Sequence, residues 1–256
     1  MDSKSISVLE SYLVFLKSLD VMENNVRINK AISILGIASR RDADQLVERS
    51  RVYVNGTSAA IGQKIKNGDE IIVDGKSYIF RNDKSVKVWI YNKPTGIITS
   101  HKDQSGRQTV FDVVRQHVNE RVVSVGRLDI NSEGLLLLTN SGDFAGYAES
   151  PKTGWSRKYQ VRIFGLLTDE ILGQLRSGIK IDGTLYSSMS VNLIRKAGGK
   201  NCWIECVLYE GKNREIRKIF NYFGILVNKL IRVQYGPYYL GNLGLGEVKE
   251  VDAYRN

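Results

Sequence analysis

The stretch SVGRLDINSEGLLLLTNSGD, residues 124–143, places one carboxylate, Asp129, just after an arginine and ahead of four consecutive leucines, Leu135 to Leu138. A continuous apolar run of this kind reads as a strand buried on both faces. RLDINSE before it reads as a loop. A catalytic group on a loop must be held by a firm scaffold, and a buried strand supplies one. The plain alternative is a turn capped by Asp129 together with Asn131 and Ser132. Three other segments carry groups that complement a carboxylate. YNKPTG sets Lys93 before a rigid Pro-Thr-Gly turn. RKYQVRIFG alternates, with Tyr159, Val161 and Ile163 on one strand face and Lys158, Gln160 and Arg162 on the other. YEGKNREIRKIF opens a helix with an apolar stripe of Ile216, Ile219, Phe220 and Phe223, and Arg214, Arg217 and Lys218 cluster on adjoining faces. Taken singly, such a tyrosine fills a core and such arginines sit in solvent. The chain shows no metal-ligand cluster, no glycine-rich phosphate loop and no convincingly paired carboxylates.

The elements that must position these groups fall into two units. Residues 1–22 are an extension whose place in the mature protein is open. Residues 23–85 form a first module. VRINKAISILG carries a helical stripe of Ile28, Ala31, Ile32 and Leu35 ended by Gly36, and SRRDADQLVERS restarts with Ser39 as N-cap and Asp42 three residues on. RVYVNG and EIIVDG then read as strands closed by Asn-Gly and Asp-Gly turns. Two short helices bearing Arg27, Lys30, Arg40 and Arg41, followed by a small sheet, suit phosphate contact. A solvated basic face is the bland alternative. Residues 86–256 form the second unit. Strands are expected at VKVWIY, RVVSV, GLLLLT, KYQVRIF, YSSMSVNLI, CWIECVLY and VNKLIRV, and helices near TVFDVVRQH, GDFAGYAE, TDEILGQLR and REIRKIFNYF. The expected class is α+β on a mostly antiparallel, mixed sheet. All three prolines fall between these elements.

A net charge of +10 points to a polyanion partner, nucleic acid ahead of an acidic membrane surface. No apolar run is long enough to span a bilayer, and the N-terminus lacks a cleavage site, so a cytoplasmic protein is expected. The two cysteines, Cys202 and Cys206, lie on one face of a strand and read as core in a reducing compartment rather than as half of a zinc site. No helix shows a sustained heptad seam, so a monomer is expected.

RINKAISILGIASRRDADQLVERSRVYVNG resembles the RNA-binding module named after a small-subunit ribosomal protein, the S-four module. Ser50 departs from it by standing where relatives usually have glycine. Gly126-Arg127-Leu128-Asp129 with Gly134-Leu135-Leu136, Asn92-Lys93-Pro94 with Gly96, Lys158-Tyr159, and Glu210-Gly211 with Asn213-Arg214-Glu215-Ile216-Arg217 are similar, in order and spacing, to the ribosomal RNA pseudouridine synthases. The branch with an N-terminal S-four module fits best, and the likeness runs from about Val26 to Val251. Ser141 and Glu149, where relatives often carry Asp and His, are departures expected to lie apart from the catalytic set. The resemblance implies an enzyme that detaches uracil from ribose, turns it and rejoins it through carbon, with no cofactor and no metal. It implies Asp129 as nucleophile, Arg217 as the cation that keeps it ionised, and Tyr159 stacking on the base. Ile216 would support the pocket, and Arg127 would enter the space left by the flipped uridine. Lys93, Arg214 and Lys218 join Arg27, Lys30, Arg40 and Arg41 as expected RNA contacts. GRQTVFDVV and EGKNREIRK look more like the large-subunit (23S) than the small-subunit (16S) enzymes. The implied partner is ribosomal RNA or a ribosome-assembly intermediate. The competing readings are a non-enzymatic RNA-binding assembly factor and a metal-dependent nuclease, the latter disfavoured by the absence of clustered acidic ligands.

Overall fold

The structure, a computed structural model, describes residues 25–82, 85–101 and 103–253. The expected extension over residues 1–22 lies outside the described residues. The chain divides into two compact units between Val86 and Lys87.

In the first unit, β1 (Val26–Arg27), α1 (Ile28–Ile34) and α2 (Arg40–Glu48) precede β2 (Val52–Val54), β3 (Thr57–Ser58), β4 (Lys64–Ile65), β5 (Glu70–Val73) and β6 (Lys76–Ile79). Ile28, Ala31 and Ile32 of α1 are buried with Ala43 and Val47 of α2 in one core that also takes Val52, Val54, Ile71, Val73 and Phe80. Ser39 caps α2 as its spacing predicts. Its hydroxyl accepts the amide of Asp42 at 3.2 Å and donates to the Asp42 carboxylate at 2.7 Å. The strands order as β3-β2-β5-β6, and the turns at Asn55-Gly56 and Asp74-Gly75 hold both residues at positive φ, as two-residue hairpins of this hand require. Ser50 sits at φ 54° just past α2. Its amide bonds Val47 and that of Arg51 bonds Leu46, a Schellman closure where glycine would be spared about 1 kcal/mol of strain.

The second unit contains β7 (Val88–Lys93), α3 (Val110–Val114), β8 (Val123–Val125), β9 (Glu133–Thr139), α4 (Gly142–Glu149), β10 (Arg157–Phe164), α5 (Asp169–Ser177), β11 (Ile179–Ile181), β12 (Thr184–Tyr186), β13 (Ser190–Lys196), β14 (Asn201–Leu208), α6 (Glu215–Tyr222), β15 (Leu226–Tyr235), β16 (Tyr238–Tyr239) and β17 (Val248–Val251). Nine strands form one sheet in the order β13-β14-β10-β15-β9-β7-β17, with β16 on β15 and β8 on β9. Its pairings are antiparallel except β9 with β15, so the expected mixed, mostly antiparallel α+β fold is confirmed. Leu135 to Leu138 are all fully buried, as a strand covered on both faces must be. Apolar side chains of α3, α5 and α6, among them Phe111, Leu175 and Phe220, join one core with Val161, Ile204 and Leu138 of the sheet.

The expected strand over residues 186–194 is in fact broken: β12 ends at Tyr186 and β13 begins at Ser190, because the amide of Met189 is drawn to the carbonyl of Leu175 in α5. The β11–β12 hairpin turns on Asp182-Gly183, both at positive φ, a signal of the kind used in the first unit but not read here. Pro151 opens a single 3₁₀ turn, where its missing amide hydrogen costs nothing.

The parallel junction constrains the site most. Gly134 of β9 pairs with Arg232 of β15 at φ 97°, and a Cβ there would lie 2.3 Å from the Arg232 carbonyl oxygen and 2.9 Å from its nitrogen. Both contacts are backbone and cannot swing aside. Gly134→Ala should therefore destabilise the second unit by about 3 kcal/mol, combining overpacking with a left-handed penalty. Urea unfolding followed by circular dichroism measures it.

Candidate active site

The loop carrying Asp129 is fixed from beneath. Lys93, at the end of β7, is fully buried, and its ammonium donates to the carbonyls of Pro94 (2.9 Å), Asp129 (3.2 Å) and Ser132 (3.0 Å). Three donors meet three carbonyl acceptors, of which the Asp129 carbonyl also takes the Ser132 amide at 3.0 Å. Burial pushes the Lys93 ammonium down to about 8, opposed by the negative charges of Asp129 and Glu133. Two further ties come from the turn after β7. The Gly96 amide donates to the Ile130 carbonyl at 2.8 Å, and the Thr99 hydroxyl donates to the Leu128 carbonyl at 2.9 Å. The expectation that Lys93 contacts RNA is therefore corrected. Its head group is consumed inside the protein, and it holds the loop.

Above this loop opens a cleft of about 810 Å³ lined by Asp129, Arg127, Tyr159, Arg214 and Ile216. Tyr159 and Ile216 are buried walls, while Arg127 and Arg214 are exposed at its rim. Four carboxylates line it, in different states. Glu149 accepts the Gly126 amide at 2.8 Å, Glu210 the Ser187 amide at 2.7 Å, and Glu215 the Lys212 amide at 2.9 Å. The Asp129 carboxylate accepts no hydrogen bond among the described residues; one Arg214 nitrogen lies 3.5 Å away. A half-exposed ion pair of that length leaves its oxygens available to a substrate. The bond from Gly126 also places Glu149 on the site, which corrects the expectation that this departure lies apart.

Arg217, expected beside Asp129, forms no ion pair within 4 Å with it. Its guanidinium donates to the carbonyls of Val227 and Asn131, each at 2.8 Å, bridging β15 to the Asp129 loop. Burial and then the charge of Arg214 lower its basicity, while Asp129 acts in the opposite sense. The exchange of roles follows from the backbone. Arg214, immediately before α6, is left-handed at φ 52°, which turns it out of the helical pattern and toward Asp129. Arg214, Arg217 and Lys218 together line a neighbouring cleft of about 300 Å³. Arg27, Arg40 and Arg41 are exposed and Lys30 half-buried at the starts of α1 and α2, within the first unit.

The floor of the cleft holds a group not singled out from sequence. Arg157 and Arg232 are buried on the Tyr235 ring, at 4.8 and 4.9 Å from its centroid. Arg157 donates to the Tyr235 hydroxyl at 2.9 Å and the Tyr209 carbonyl at 2.9 Å, and Arg232 donates to the Leu135 carbonyl at 2.7 Å. Two-residue periodicity puts Arg157 on the face of Tyr159 and was the signal that could have found it. Cys206 is buried, which raises its thiol, and no group of three or more His, Cys, Asp or Glu side chains that could hold a metal occurs among the described residues.

Comparison with known proteins gives a consistent result. The RNA pseudouridylate synthase family profile matches residues 87–222, and the S4 domain profile residues 26–71. A protein of Rickettsia typhi described as an uncharacterized RNA pseudouridine synthase is 46% identical over 88% of this chain and 91% of its own length. A ribosomal large subunit pseudouridine synthase B of Pseudomonas aeruginosa is 36% identical over 88% of this chain and 59% of its own length, and one of Buchnera aphidicola (Schizaphis graminum) is 43% identical over 82% and 83%. A solved pseudouridylate synthase structure superposes with a TM-score of 0.61 at 22% identity, covering 89% of this chain and 96% of the other, and shares the fold.

The two arginines differ in what they hold, and their removal should differ accordingly. Arg217→Met removes one part-buried and one exposed hydrogen bond to backbone carbonyls and should cost about 1.5 kcal/mol of stability. Arg214→Met breaks one half-exposed ion pair and should cost less than about 0.5 kcal/mol. Urea unfolding of both variants makes the comparison.

Proposed function

The chain belongs to the RNA pseudouridylate synthase family and carries an S4 domain, and from that premise we propose that it isomerises uridine in large-subunit ribosomal RNA with Asp129 as nucleophile. The state of the four cleft carboxylates supports this most strongly. Three are engaged with backbone amides, and Asp129 alone keeps its oxygens for a substrate. In the reaction the bond from ribose C1′ to uracil N1 breaks and one from C1′ to C5 forms. N1 gains a proton and C5 loses one, so no oxidant or reductant is consumed. An anionic carboxylate assists the departure and return of the base at C1′, and an Arg214 guanidinium nitrogen lies 3.5 Å from it.

The other roles follow from position. Tyr159 offers its ring as a stacking wall and its hydroxyl to the base, and Ile216 closes the side opposite. Arg127, exposed at the mouth, fills the gap left in the RNA when the uridine flips, at an unstacking cost of a few kcal/mol. Lys218 beside Arg214, and Arg27, Lys30, Arg40 and Arg41 of the S4 domain, contact phosphates. The large-subunit substrate is supported by the names of the Pseudomonas and Buchnera relatives, and such a substrate places the work in the cytoplasm.

Tritium release from rRNA transcripts labelled at uracil C5 tests the proposal. Large-subunit transcripts should release tritium and small-subunit transcripts should not. Asp129→Asn should lower release by more than about 10³-fold while RNA affinity holds. Release confined to small-subunit RNA would reassign the substrate, and tritium-releasing Asp129→Asn would remove the nucleophile. Tight, salt-sensitive binding with no release from any RNA would favour an assembly factor.

A further inference from the structure

Four side chains alternate in type across the cleft floor. β10 contributes Arg157 and Tyr159, β15 contributes Arg232 and Tyr235, and the register sets Arg157 opposite Tyr235 and Tyr159 opposite Arg232. All four are buried, and all four line the cleft. Two buried guanidinium groups in one floor call for counter-ions, because a desolvated charge is tolerated when it is paired. Among the described residues, no carboxylate oxygen lies within 4 Å of either one. Arg157 gives its donors to neutral acceptors, the Tyr209 and Glu149 carbonyls and the Tyr235 hydroxyl. Arg232 is only 2% exposed. Its Nε donates to the Leu135 carbonyl at 2.7 Å, and its Nη2 is buried with no hydrogen-bond partner. A charged donor sealed from water and left unpaired is costly. Its place gives it a use, directly across from Tyr159 on the face that opens to the cleft.

We propose that Arg232 is a catalytic residue that takes the negative charge of the departing uracil, with Nη2 as donor to a carbonyl oxygen of the ring. It rests on the reading of Asp129 as the reacting carboxylate and Tyr159 as the stacking wall. RNA offers two anions to such a floor, a backbone phosphate and the base once its bond to ribose breaks. The phosphates follow the chain along the exposed rim, whereas the base is the part that reaches Tyr159. When the bond from C1′ to N1 breaks, the bonding pair leaves with the base. The charge spreads from N1 onto O2 and O4, and Asp129 meets the electron deficiency at C1′. Attack through C5 then returns a pair to C1′, C5 loses its proton and N1 gains one. Uridine itself is neutral, so the pull of Arg232 is strongest where the charge develops, which is what speeds a reaction. The guanidinium is already in place and dry, so little reorganisation opposes it. Arg157, 4.8 Å from the Tyr235 ring, adds a second positive charge to the same floor.

Isomerised nucleoside counted after digestion of the RNA, together with the dissociation constant, tests this on wild type, Arg232→Gln and Arg232→Lys. The substrates are large-subunit transcripts made with uridine, 2-thiouridine or 4-thiouridine throughout. Sulfur accepts hydrogen bonds poorly and disperses the charge of a departing base, and both effects shrink the difference that Arg232 makes. On uridine RNA the single-turnover rate of the bound Arg232→Gln complex should fall about 100-fold. On at least one thiolated RNA the same variant should fall by less than about tenfold relative to wild type. Arg232→Lys keeps the charge and should recover part of the loss, and the same three RNAs are compared on it if Arg232→Gln does not fold. An equal loss on all three RNAs means a damaged floor and overturns the proposal. Weakened affinity with the bound rate intact assigns Arg232 to a phosphate and overturns it too. Wild type that isomerises uridine beside an Arg232→Gln rate unchanged removes the role of Arg232 alone, whereas wild type that isomerises no RNA removes the reading of the cleft as well.

Discussion

One buried ammonium organises the second unit. A lysine head group removed from water costs several kcal/mol unless every proton finds an acceptor. Lys93 meets that condition with the carbonyls of Pro94, Asp129 and Ser132. The same three bonds pin both ends of the turn that carries Asp129. The loop and the lysine are thus each affordable only in the presence of the other, and the position of Asp129 follows from the end of β7. The parallel pairing of β9 with β15 depends in turn on Gly134, where no side chain fits against the backbone of Arg232.

Around that fixed point the charges are graded by depth. Lys93 lies deepest and holds backbone. Arg157 and Arg232 lie on the floor, packed on Tyr235. Arg217 ties the loop to β15, while Arg214, Arg127 and Lys212 are exposed at the opening. An RNA substrate brings many negative charges to such a surface, but the buried cations are already committed to carbonyls and rings. What remains for phosphate is the rim, and the carboxylate left open to the cleft is that of Asp129, 3.5 Å from Arg214. On the proposed reading, affinity falls to the rim cations and chemistry to the carboxylate between them.

Much of this was legible in the sequence because local rules decide it. The Ser39 cap, the Asn-Gly and Asp-Gly hairpins, the doubly buried leucine strand and α4 each follow from short-range chemistry. Asp129, Tyr159, Arg127, Arg214 and Ile216 do converge on one cleft. The roles of the cations were not legible. Lys93 before a Pro-Thr-Gly turn reads as exposed, and two of its acceptors lie 36 and 39 residues away in the chain. Arg214 and Arg217 are equivalent in a helical pattern, and the left-handed backbone that separates them leaves no mark at a position usually held by Ser, Thr, Asp or Asn. Glu149 read as a remote departure because its reach to Gly126 spans elements that only the tertiary fold brings together.

The most direct measurement is the behaviour of Lys93→Met in two quantities taken together, the dissociation constant for large-subunit rRNA and the single-turnover rate of the bound complex. If Lys93 holds the Asp129 loop, affinity stays within about twofold while the rate falls on the order of 100-fold, the cost of a reacting group displaced by about an ångström. Affinity lost with the bound rate intact would make Lys93 an RNA contact and contradict the arrangement described above.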